Sequence, residues 1–144
     1  MEVDTVLVPI DDTRSAMDAV EYGVAIADRY DASVHALYLL GENAAASMAN
    51  GAIEASAIAE RAEQIMASVR AMAGEVPVDH SSACGFSVDR LNQHPGSVIL
   101  DVAEMLEVGF IVVPREPTAE ETDAVIQKAA EYVLKYASQP VLSV

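Results

Sequence analysis

The sequence predicts an α/β fold in which a parallel sheet is covered by helices on both faces. Two observations predict it. Short apolar runs rich in β-branched residues recur along the chain, and between them apolar residues repeat at three-four spacing, the period of one helix face. The order reads strand then helix four times and closes on a strand, which requires crossover connections between parallel neighbours. At 144 residues the chain has the size of one domain, and residues 1–144 are read as one.

The first strand is Val3 to Ile10, short and rich in β-branched residues, with Asp11, Asp12 and Thr13 as turn residues after it. Ser15 and Asp18 form a weak capping box. Ala16, Ala19, Val20, Gly23, Val24 and Ala27 then mark one face of a helix, which Asp31 and Ala32 break. Ser33 to Leu40 is an apolar run without clean alternation, as a strand covered on both faces requires. Gly41 to Gly51 reads as a loop. A long helix from about Ile53 to Ala73 carries Ile58, Ala62, Ile65, Val69 and Met72 inward, and Gly74 stops it.

Val76 to Cys84 is a third strand with polar Ser81 and Ser82, and Gly85 to Pro95 carries little signal. Ser97 caps a helix with Ile99, Val102, Ala103 and Leu106 inward, and Gly109 ends it. Phe110 to Val113 is a fourth buried strand and Pro114 to Pro117 a breaker. Thr118 or Thr122 opens the last helix, with Ile126, Ala129, Ala130, Val133, Leu134 and Ala137 inward, before a final strand from Pro140 to Val144. Right-handed crossovers leave few topologies, and the common five-stranded ones reverse beside strand one. Ligands of such sheets sit beyond the strand ends at that switch point, here the loops Asp11–Ser15 and Pro114–Thr118.

Charge excludes several functions. The net charge is −15, with 23 acids against 8 Lys and Arg. A nucleic-acid binder needs a basic footprint and an anionic membrane attracts basic segments, so neither is an expected partner. The acids are spread along the chain, and Lys128 and Lys135 are its lysines, a pattern that suits a halophilic, salt-rich cytoplasm. No stretch reaches the roughly 20 apolar residues of a membrane span, and no signal peptide is evident. A single cysteine forms no internal disulfide, so the expected location is cytoplasmic.

Three segments resemble a known family. Val6-Leu7-Val8-Pro9-Ile10-Asp11 is similar to the opening strand of the universal stress proteins. Gly109 to Val113 resembles their fourth strand. Ala130 to Ala137, followed by Gln139 to Val144, resembles their last helix and strand. The likeness covers nearly the whole chain in the same order. It implies an open five-stranded sheet of order 3-2-1-4-5, cytoplasmic stress-linked roles and homodimers.

ATP-binding members of the family carry Gly-x2-Gly-x9-Gly-Ser/Thr after strand four. Aligned from the last helix, those positions here are Pro114, Pro117, Gln127 and Lys128, and all four depart from the pattern. A phosphate nest is made of backbone N–H groups at angles glycine supplies, and proline has no N–H. Arg115 and Lys128 could each meet a phosphate, but Glu116, Glu120 and Glu121 surround them and two cations do not rebuild the nest. The resemblance therefore implies the branch that does not bind ATP, with no cofactor. Asp11 matches the family acid that contacts adenosine, although Asp is also an ordinary turn residue at a strand end. Leu39 aligns with the position whose backbone faces the base, against the stronger reading of a core leucine.

Other candidates are weaker. His80, Cys84 and His94 fit no compact zinc pattern, so no metal is expected. Cys84 and His80 stand four strand residues apart, about 13 Å, too far for an activating hydrogen bond. His35 reads as a core or edge histidine. No nucleophile elbow and no Gly-x-Gly-x-x-Gly is present, so catalysis is not expected. Residues 85–95 read equally as a surface insertion and as a lid or partner loop. Under the topology the resemblance implies, Pro140 to Val144 is an edge strand, where Leu142 and Val144 favour a homodimer through that edge. The expected function is a non-catalytic stress-response module with an unidentified protein partner. The alternative is a nucleotide or small-molecule sensor using the crevice beside Asp11 and Arg115.

Overall fold

The structure, a computed structural model, describes residues 2–11, 14–40, 51, 55–84, 95–114 and 125–144. The strands are β1 (Thr5–Ile10), β2 (Ser33–Leu40), β3 (Val78–Cys84), β4 (Phe110–Val113) and β5 (Val141–Ser143). The helices are α1 (Arg14–Tyr30), α2 (Ala55–Ala73), α3 (Pro95–Met105) and α4 (Val125–Tyr136). All strands are parallel, as the sequence predicts, in the order β3-β2-β1-β4-β5 that the resemblance implies.

Strand alternation divides the core into two layers. Val6, Val8 and Ile10 of β1, with Val34, Ala36 and Tyr38 of β2, face Ala16, Ala19, Val20 and Ala27 of α1 and Met66 and Val69 of α2. Leu7, Leu37, Leu39, Ile111 and Val113 face Ile99 and Ala103 of α3 and Ala129, Ala130 and Val133 of α4. The central strands β1 and β2 are therefore apolar on both sides, which is why their sequences lack a period-two pattern.

Several boundaries and faces differ from expectation. β1 and β3 each start two residues later than the apolar runs, at Thr5 and Val78. α3 begins at Pro95 rather than after a Ser97 cap, because proline suits a first helical turn whose N–H groups have no intrahelical acceptor. Its end is made by Glu107, not Gly109. Glu107 takes φ 52°, and the Val108 N–H reaches back to the Ala103 carbonyl at 3.0 Å, a left-handed cap with a non-glycine residue. Val108 fills the core there, and Leu106, expected inward, is exposed. Asp31 ends α1 in the same way, with φ 54° and an Ala32 N–H bond to the Ala27 carbonyl of 2.8 Å. Gly74 stops α2 at φ 60° as expected.

Met72 and Leu134 were expected inward and are also exposed. The buried stripes centre instead on Met66 and Val69, and on Ala129, Ala130 and Val133, leaving the other two at the rims. The helix openers Thr118 and Thr122 and the loop at 85–94 lie outside the described residues.

Candidate functional site

The switch point lies between β1 and β4, and two prolines shape it. The Asp4 carbonyl accepts the Ser33 N–H and the Thr5 carbonyl accepts the Gly109 N–H, so even residues of β1 bond toward β2 and odd ones toward β4. On β4, the Ile111 N–H goes to Pro140 and the Val113 carbonyl accepts from Val144, so odd residues face β5 and even ones face β1. Pro9 and Pro114 are thus the residues that would donate across the β1–β4 seam beyond Leu7, and neither has an N–H. The pairing of these strands ends at Leu7↔Ile111, while β1 and β2 stay in register to Ile10↔Tyr38. The sheet is therefore unzipped between β1 and β4 at the end where a ligand of this fold class binds.

Asp11 stands at that end. It is 7% exposed, the buried acid among the described residues, and it is engaged in a polar interaction. It follows directly on Ile10, whose register partner is Tyr38, and so lies beside the end of β2 that carries Leu39. The structure thus brings Asp11 and Leu39 to one corner. The Leu39 side chain is 2% exposed and packed among core residues, so only its backbone is placed to meet a ligand. Pro114 is buried directly after β4 and offers no N–H. Lys128 lies on the first turn of α4, where its backbone but not its side chain is described, and Arg115 and Pro117 lie outside the described residues.

A second polar group sits near the sheet edge. The His35 Nε2 and the Ser81 Oγ are 2.8 Å apart, joining β2 to β3. Asp79 is level with His35 on β3. Burial lowers the His35 pKa from its ordinary 6.5, Asp79 raises it in opposition, and His80 adds to the lowering. His35 thus stands on an interior strand beside the edge strand β3, partly buried and bonded across to it, in keeping with the core alternative of the expectation. No group of three or more His, Cys, Asp or Glu suited to a metal ion occurs among the described residues. Among them, too, no helix is long and apolar enough to cross a membrane.

Reading the sequence missed two features. The effect of Pro9 was visible as a proline inside a central apolar run, but which neighbour loses the donor depends on register. The second is a groove of about 540 Å³ between α1 and β5, lined by Asp18, Glu21, Tyr22, Leu142, Ser143 and Val144. Its signal was Tyr22, a large apolar residue off the buried stripe of α1 and 51% exposed.

The universal stress protein family profile matches residues 2–144. No curated protein matches the chain. Among solved structures, universal stress protein UspA from Lactobacillus plantarum is 21% identical with a TM-score of 0.76, over 100% of this chain and 99% of that one. A universal stress protein solved with cAMP is 18% identical with a TM-score of 0.66, over 100% of this chain and 98% of the other. The universal stress protein from Archaeoglobus fulgidus solved with dAMP is 15% identical with a TM-score of 0.66, over 99% of this chain and 98% of the other. At these identities the structures share the fold.

Proposed function

The chain belongs to the universal stress protein family, and from that premise we propose that it is a non-catalytic stress-response module that does not bind ATP. The observation that carries this reading is the buried Pro114 at the end of β4. A glycine there would begin a ring of backbone donors around phosphate, whereas proline contributes no donor and fixes φ near −65°. Pro117 repeats the substitution three residues on, and Gln127 and Lys128 replace the last two positions of the loop pattern. Among the described residues, Asp11 stands at this corner without a neighbouring base and nucleophile grouped beside it. We place the module in the cytoplasm, acting as a homodimer through β5 and on a protein partner.

A second reading has its own support. Asp11 keeps a buried acid at the switch point, and relatives of the same fold have been solved with cAMP and with dAMP. Both ligands carry one phosphate rather than three, so they ask less of a phosphate loop. Native mass spectrometry of the purified protein, followed by calorimetry with Mg-ATP, cAMP and dAMP, separates the readings. A two-subunit mass with no bound molecule and no heat is expected. A retained nucleotide, or heat with either monophosphate, moves the chain to the sensor class, and micromolar Mg-ATP binding defeats the first reading outright.

A further inference from the structure

We propose that assembly of this chain through β5 is gated by salt, and that Asp18 and Glu21 are the gate. The inference rests on the homodimer reading above and deepens it. β5 is the outer strand beside β4. Its Leu142 and Val144 pack on the layer that holds α1, and the groove of about 540 Å³ above them has Asp18, Glu21 and Tyr22 of α1 as its wall. Both acids are exposed.

The symmetry of an edge-to-edge dimer decides where those acids go. A strand pairs antiparallel with its own copy in one continuous sheet through a two-fold axis normal to that sheet. Such an axis leaves both copies of α1 on the same face. The two grooves then merge into one over the seam, floored by Leu142 and Val144 of each chain and walled by Asp18 and Glu21 of each. Apolar burial and strand pairing favour closure, while four carboxylates facing a shared, partly desolvated cleft oppose it. The net charge of −15 on each chain adds a longer-ranged repulsion.

The balance turns on screening. The Debye length is about 10 Å at 0.1 M salt and about 3 Å at 1 M, so repulsion across a cleft of side-chain dimensions is strong in the first and nearly extinguished in the second. The assembly therefore reads ionic strength: separate chains in dilute salt, a closed pair in concentrated salt. The two helix acids, rather than total charge, set the threshold because they stand at the seam.

Sedimentation equilibrium tests this on the whole protein at about 50 mM and about 2 M KCl, with circular dichroism confirming the fold in each. The wild type is expected to be dimeric at the higher salt and to dissociate at the lower. Asp18→Asn with Glu21→Gln is expected to tighten low-salt association by about tenfold or more. Asp101→Asn with Glu104→Gln, which removes equal charge from the exposed face of α3, is expected to leave the wild-type behaviour in place. Leu142→Lys is expected to be monomeric at both salts. A wild type dimeric at both salts, or two neutralised pairs with equal effect, overturns the gate and leaves the dimer standing. A monomeric wild type and monomeric Asp18/Glu21 variant in concentrated salt overturn the dimer itself.

Discussion

Gly23 of α1 lies directly on Val8 of β1: a Cβ built on the glycine would stand 2.5 Å from Val8 Cγ2. Real Cβ atoms do not approach so closely, so the helix rests on the central strand at a depth only glycine permits. That depth positions the rest of α1, including Asp18 and Tyr22 over β5. Gly23→Ala gains up to about 1 kcal/mol of helix propensity but overpacks the core, which typically costs about 1–3 kcal/mol. A net loss of about 1–2 kcal/mol is expected in urea unfolding. Combined with Val8→Ala, the loss should be smaller than the sum of the two single losses, because the second change removes the clashing methyl. Strict additivity would show that helix and strand do not meet here.

The fold was legible because burial wrote it into composition. Val6, Val8, Val34 and Ile111 are apolar and β-branched where the sheet is covered on both faces, and Ala16, Ala19 and Ala27 repeat at helical spacing where α1 meets it. What the pattern hid was tertiary. Leu106 and Leu134 are apolar yet exposed, since their neighbours Val108 and Val133 take the inward places. Glu107 and Asp31 adopt left-handed caps that sequence reading reserves for glycine. Asp11 was readable as a switch-point acid from its place after β1. The bond between His35 and Ser81 was not, because it needs the register of β2 with β3.

Asp11 separates structure from ligand chemistry. Asp11 is buried and engaged in a polar interaction, so Asp11→Ala, which removes that interaction, is expected to cost about 1–3 kcal/mol in chemical denaturation. On the proposed function the same variant leaves Mg-ATP titrations as flat as the wild type. Heat in the wild type that vanishes in the variant would assign Asp11 to a ligand.

His35 makes part of the stability depend on pH. Its folded pKa lies below 6.5, chiefly through burial, so near that value the unfolded chain binds more protons than the folded one. Stability is then full above about pH 6.5 and falls as pH drops through that value toward the lowered folded pKa, below which the contribution is constant. Asp79 limits the effect by favouring the charged ring. Urea midpoints at about pH 7.5 and pH 5.5 should fall more for the wild type than for His35→Gln. Equal falls would place the pH dependence elsewhere.

Charge makes the last prediction, and it concerns the single chain rather than the pair. With 23 acids against 8 Lys and Arg, the folded state confines a net −15 that the unfolded chain spreads over a larger volume. The exposed acids Glu21, Asp28 and Glu75 line a second groove between α1 and the end of α2, together with Met72 and Val76. Screening should relieve this confinement. If it returns about 2 kcal/mol, the melting temperature rises by roughly 4–8 °C between dilute and molar salt for a domain of this size. The rise should be concentrated below about 1 M, where the Debye length is still shrinking toward about 3 Å. Choline chloride should act as well as KCl, since screening depends on ionic strength and not on the cation. A cation-specific rise would point to bound ions, and a melting temperature indifferent to both salts would remove the halophilic reading of the sequence.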